Sequence, residues 1–359
     1  MINRVLNKNK SLVNLIFTFI ISRLFSCLLI FILLPFYDSR FFTFKDLTFY
    51  QEVDSGIFSP NFLFAYLVKF TGYDQSNIHD LRFIFVFFLI SIILFLPWIF
   101  LANKTLTKRG SFLYTIILGL HPYLALYSLK FDSTSFAILP VAFFAIEKLL
   151  KIKKLKYISL LISSLSSFFR SQVLTFSWLQ LIFFNPKKIF KLSKINFFVF
   201  IITILLVLCS VIQFNYGTDI ITQNFGCYSA EAIGKYLFAN GLDRQFSNIL
   251  SILITPFIHI LLLLGAREAI AANCLNLSKE IASLWQLNIL STLCFLSFNF
   301  YALIKLFNYV FKIKPFRLNL LIPFSILLPN LYGAAHMRYF ICLVPYIMLF
   351  IFKKEIKNN

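Results

Sequence analysis

The chain has 359 residues, 59% of them hydrophobic and only 13% charged, with a formal net charge of +20. A soluble domain of ordinary composition carries roughly a quarter charged residues, so this balance, with a mean hydropathy of +0.82, argues against a soluble globular fold and predicts a helical integral membrane protein. The excess of Lys and Arg does not point to nucleic acid, because it lies in short clusters between apolar runs, as the positive-inside rule requires.

In chain order, Leu12 to Leu34 is the first apolar run. About 20 apolar residues suffice to cross a bilayer as a helix, the conformation that satisfies every backbone polar group internally. The run is longer than a signal-peptide core and lacks a small-residue cleavage site, so it reads as a retained span. Pro35 to Arg82 is poor in Lys and Arg and holds Asp38, Asp46, Glu52, Asp54, Asp74 and Asp80, which predicts a large outer loop. Phe83 to Leu101 is the second run. A third span ends at His121-Pro122-Tyr123, and Asp132-Ser133-Thr134-Ser135 opens the fourth.

Tyr157 to Phe184 lies between the basic clusters Lys148 to Lys156 and Lys187 to Lys194. It must cross twice, or dip in and return. Arg170 sits at its middle among Ser166, Ser167, Ser171 and Gln172, which predicts two short helices meeting at a polar apex. Further runs follow at Phe197 to Phe214, at Ile249 to Leu264 with Pro256 and His259, and at Leu284 to Leu303. Lys312 to Arg317 reads as cytoplasmic, so one segment between 249 and 311 must be re-entrant or interfacial. Tyr339 to Phe352, after a tight turn at Gly333 to Arg338, closes the series. The expected fold is an all-α, polytopic transmembrane bundle of about 10–11 spans. It forms a single domain over 1–359, with both termini cytoplasmic beside Arg4, Lys8, Lys10 and Lys353 to Lys357. The six cysteines show no CxxC or Cys/His metal spacing.

Ionisable residues near a bilayer are costly and are functional candidates by default. Asp46 stands in the first outer loop, where a carboxylate suits a general base. Glu52 and Asp54 are neighbouring alternatives, and a loop acid or helix cap is the plainer reading. His121 lies at a span end, and Asp132 suits a helix start. Arg170 needs an anionic partner, for which phosphate or carboxylate is natural. His336 and Arg338 share the last outer turn; a snorkelling arginine is the plainer reading there. No phosphate loop, dinucleotide fingerprint, GxSxG or HExxH occurs in the chain.

The order of these residues resembles the GT-C superfamily of membrane glycosyltransferases, most closely the bacterial relatives of the PIG-V mannosyltransferases. The resemblance rests on Asp46 with Tyr50; Pro122 followed by Phe131-Asp132-Ser133-Thr134-Ser135-Phe136; Phe169-Arg170-Ser171-Gln172-Val173-Leu174; and Arg338-Tyr339 followed by Pro345. The chain departs from the family at Lys45, where an aromatic is usual, and at Gln172-Val173, where Asn-Gly is common. The resemblance implies inverting sugar transfer from a polyprenyl-phosphate donor to a lipid or glycan acceptor on the outer face of a bacterial inner membrane, with no cofactor. Asp46 would be the base. Arg170 and Arg338 would contact the donor phosphate, and Tyr50, His121, Asp132 and His336 would line the site. An O-antigen polymerase or ligase, and a lipid or polysaccharide flippase, are the alternatives; the early acidic loop and the absence of a repeat favour the transferase.

Overall fold

The computed structural model describes residues 2–33, 62–72, 80–121, 124–125, 133–152, 155–183, 198, 201–205, 237–261, 281–312, 317–330 and 340–353. Every long element among them is helical, and no strand occurs. In chain order they are α1 (Ile2–Leu33), α2 (Phe62–Thr71), α3 (Leu81–Thr105), α4 (Lys108–Leu120), a 3-10 turn (Ser133–Ala137), α5 (Ile138–Leu150), α6 (Leu155–Phe169), α7 (Val173–Ile182), α8 (Arg244–Leu261), α9 (Ile281–Lys312), a 3-10 segment (Leu318–Asn330), a 3-10 turn (Ile341–Leu343) and α10 (Val344–Phe352).

Local chemistry sets several boundaries. Asp80 caps α3, its carboxylate accepting from the Arg82 backbone N–H at 2.8 Å and pairing with the Arg82 guanidinium at 2.7 Å. The hydrogen bonds from Arg82 hold the Asp80 carboxyl below its ordinary range. One acid of the expected outer loop thus serves to start a helix. Thr107 caps α4 by accepting from Gly110 N–H at 3.1 Å.

The polarity of several helices is reversed relative to a soluble protein. In α1 the buried stripe is Leu15, Phe19, Ser22, Arg23, Ser26 and Cys27, whereas Val13, Phe17, Ile21, Leu24 and Leu28 are exposed. Along α6, Ser159, Ser163, Ser164, Ser166 and Ser167 are buried while Ile158 and Leu165 face out. In α8, Ser247, Ser251 and Thr255 form a buried line at i, i+4, i+8, opposite exposed Ile249, Ile252, Leu253 and Phe257. The inward hydroxyls bond mostly to carbonyls one turn back, as Thr255 does to Ser251 at 2.6 Å and Ser164 to Leu160 at 2.9 Å. Small hydroxyl side chains of this kind let helices approach closely while most of their polar atoms stay bonded within the helix; the Ser247 Oγ is an exception.

α10 forms the centre of the bundle. Every residue from Phe340 to Phe350 is buried, with no outward stripe, the mark of a helix covered on all sides. Trp98 of α3, Tyr114 of α4 and Tyr309 of α9 pack around it. Two tyrosine hydroxyls fix its position: Tyr114 donates to Pro345 O at 2.9 Å, and Tyr346 donates to Leu320 O at 2.7 Å.

Two helices among the described residues are long and apolar enough to cross a membrane, Ser11–Leu29 within α1 and Leu81–Thr105. The expected 10–11 spans are a finer statement than these residues carry. α4, α5, α6, α7 and α10 are 13, 13, 15, 10 and 9 residues long, shorter than the roughly 20 residues of a full span.

Candidate functional site

The stretch around Arg170 folds as its pattern predicts. α6 ends at Phe169, Arg170 to Gln172 form a turn, and α7 starts at Val173. Arg170 N–H still bonds back to Ser166 O at 2.9 Å, and Val173 N–H bonds to Arg170 O at 3.0 Å, so the break is a tight corner. Arg170 is 5% exposed. Its Nη1 donates to Ser133 Oγ at 2.8 Å, joining the α6–α7 corner to the first residue of the turn that precedes α5. Residues 37 apart in sequence thereby become one polar unit.

Aromatic packing holds that unit in place. Phe169 and Phe136, each near one member of the pair, stack with centroids 4.6 Å apart and planes 13° from parallel. Phe136 meets Phe64 of α2 edge-on at 6.2 Å. The corner therefore rests on α2. The turn Ile341–Leu343 packs against the Ser133–Ala137 turn, and the Cys342 thiol lies within electrostatic reach of Arg170. The Ser133 turn, the Arg170 corner and the Ile341–Leu343 turn thus meet at one place.

The pair is suited to an oxyanion. Ser133 is 2% exposed; with its oxygen accepting from Arg170, its O–H proton can be donated onward. A guanidinium binds phosphate or carboxylate oxygens through its planar fork. The buried Oε1 of Gln172 beside it is an acceptor, which suits a hydroxyl of a bound molecule and not its anionic oxygens.

His121 occupies a different setting. It ends α4, is 4% exposed, and its Nδ1 accepts from the Leu124 backbone N–H at 3.3 Å. Beside it is a residue that the sequence reading passed over. Arg23 of α1 is fully buried, and its Nη2 donates to Leu118 O at 2.7 Å. Its guanidinium carbon lies 5.1 Å from the Phe19 ring centre and 4.8 Å from that of Phe95. Ser26 donates to Leu120 O at 3.1 Å. α1 thus supplies donors to carbonyls at the end of α4, which lack partners within their own helix. The available signal was a single cation inside the otherwise apolar run Leu12 to Leu34.

Asp46, Tyr50, Asp132, His336 and Arg338 lie outside the described residues, as do Glu52 and Asp54. No family model, curated protein or solved structure matches the chain.

Proposed function

We propose that the chain is a polytopic membrane glycosyltransferase of the GT-C type. It moves a sugar from a polyprenyl-phosphate donor to a lipid or glycan acceptor, with inversion, on the extracytoplasmic face of a bacterial inner membrane. The observation that carries this reading is the buried Arg170–Ser133 pair at the corner of two short helices. A cation and a hydroxyl set in an apolar bundle suit the oxygens of an anionic group, of which a lipid-linked phosphate is one that reaches such a place. The apolar outer faces of α1 and α8 support the membrane setting.

In this scheme the acceptor hydroxyl loses its proton to Asp46 as its oxygen attacks the sugar carbon. The bond from that carbon to the phosphate oxygen breaks, and the polyprenyl phosphate leaves. Arg170 and Arg338 hold the charge that grows on the phosphate, while Tyr50, Asp132 and His336 line the site; His121, at the end of α4 beside Arg23, stands apart from it. The gain comes from positioning and from fixed charge in a water-poor site.

The test is label transfer in purified membranes supplied with a radiolabelled polyprenyl-phosphate sugar. Wild type should move label to a lipid or glycan acceptor, and Arg170→Ala should abolish transfer while the protein remains inserted. Asp46→Asn should do the same. Transfer by Asp46→Asn at the wild-type rate would move the base to Glu52, Asp54 or Asp132. Full activity of Arg170→Ala would remove the corner from the reaction.

A further inference from the structure

Two basic clusters far apart in sequence, Lys312 to Arg317 and Lys353 to Lys357, each send one residue to the same place. α9 ends at Lys312 and α10 at Phe352. Past the end of α9 the chain folds back, and the Arg317 backbone N–H donates to Val310 O at 3.4 Å. That bond sets Arg317 beside Tyr309, whose hydroxyl lies within hydrogen-bonding reach of the guanidinium. Lys353, the first residue after α10, places its Nζ 4.4 Å from the Tyr309 ring centre and 5.7 Å from that of Phe350. The two rings are themselves 5.2 Å apart. Arg317, Tyr309 and Lys353 thus form one group, with Tyr309 touching both cations.

The charge of this group is not balanced within it. Among the described residues the ion pairs are Arg82–Asp80 and Lys148–Glu147, and neither involves Arg317 or Lys353. An aromatic face attracts an ammonium but carries no net charge. The carbonyl ends of α9 and α10 contribute a partial negative charge of about half a unit each, less than two full cations. All three side chains are partly buried. Burial first, and the Arg317 charge second, lower the Lys353 amine to about 8, so at neutral pH it is mostly protonated and repelled by its neighbour. An anion placed against both cations removes that repulsion.

The donors match the oxygens of a phosphate. Arg317 offers a planar fork and Lys353 an ammonium. Tyr309, with its oxygen accepting from Arg317, keeps its O–H proton for a further acceptor. We propose that Arg317, Lys353 and Tyr309 bind the phosphate of an anionic membrane lipid, in the leaflet that both basic clusters face. A lipid of net negative charge is favoured over a zwitterionic one, because the surplus of cations repels a choline group. Leu318, next to Arg317, is exposed and gives an acyl chain apolar surface. The site rests on the membrane setting and is independent of sugar transfer at the Arg170 corner.

The full chain is placed in nanodiscs of phosphatidylcholine with phosphatidylglycerol, then released into mild detergent and weighed by native mass spectrometry. Wild type should retain one phosphatidylglycerol in preference to phosphatidylcholine. Arg317→Gln and Lys353→Met should each lower the retained fraction by about tenfold, as expected for losing a hydrogen bond to a charged group. Lys104→Met, at an exposed lysine of another basic cluster, should leave it unchanged. Equal retention of the two lipids, or retention untouched by both Arg317→Gln and Lys353→Met, overturns the proposal. A wild-type melting temperature raised by millimolar inorganic phosphate, with no lipid retained, also overturns it and assigns the group to a free anion. Lys353→Met removes a cation that burial already disfavours, so it keeps the test decisive should Arg317→Gln fail to fold. Sugar transfer is not the readout, so failure here leaves the glycosyltransferase reading intact.

Discussion

Arg23 and Arg170 are both cations in apolar surroundings, yet their partners differ in kind. Arg23 donates to a main-chain carbonyl at the end of α4 and lies against two Phe rings. Those contacts account for it as a structural clamp. Arg23→Met keeps the apolar stem but leaves Leu118 O without its donor, which should cost about 1–3 kcal/mol. A lowered melting temperature in detergent, with transfer activity per folded molecule unchanged, would verify it. Arg170 instead meets a side-chain hydroxyl that can pass a hydrogen bond onward. Ser133→Ala should therefore lower transfer without abolishing it, with Arg170→Lys falling between wild type and Arg170→Ala. Identical rates for Ser133→Ala and wild type would separate the hydroxyl from the reaction.

At the scale of elements, the α1–α4 contact depends on Gly119. A Cβ at this position would overlap Ser22 Oγ and fall 2.7 Å from Ser22 Cβ and 3.2 Å from the Arg23 backbone nitrogen. Gly119→Ala must push the two helices apart, at a cost of about 1–3 kcal/mol for overpacking. Ser22→Ala removes only the hydroxyl and keeps the Cβ, so the double variant should not regain wild-type stability. Thermal unfolding of the single and double variants in detergent checks this. The α6–α7 corner is held differently, by the Phe136–Phe169 stack and by Thr175 Oγ1, which donates to Ser325 O of the 3-10 segment at 2.6 Å. Those ties set the corner against two other elements, so its direction is a property of the bundle.

Considered as a whole molecule, the reversed polarity of α1, α6 and α8 has a direct consequence. Serines and threonines sit inside while Phe, Ile and Leu cover the outside, so water is a poor solvent for this surface. The chain should stay in the membrane pellet after extraction with alkaline carbonate and enter solution only with detergent; recovery in the carbonate supernatant would count against the membrane setting. The end of α10 carries a pH effect. Burial lowers the Lys353 amine from 10.5 to about 8, with the Arg317 charge adding to the shift, and its Nζ lies 4.4 Å from the Tyr309 ring centre. The folded pKa is below the unfolded one, so between about pH 8 and 10.5 the unfolded chain binds more protons. Stability contributed by this group rises with pH through that window and is at its lowest below pH 8. Melting curves should show the rise in wild type and a smaller one in Lys353→Met.

Composition and the spacing of apolar runs determined the helical class, the course of the first two long helices, and the broken hairpin with Arg170 at its corner. These follow from the sequence alone because they are local: about 20 apolar residues make a helix, and the basic clusters on both sides of Tyr157 to Phe184 require the chain to turn back between them. The sequence could not reveal that Ser133 would be the partner of Arg170, because residues 37 apart meet only through packing. Nor could it distinguish Arg23 as a clamp on α4, or the final apolar segment as a fully enclosed core helix. An apolar run has the same composition whether lipid or protein surrounds it, and only the tertiary structure decides which side of each helix is covered.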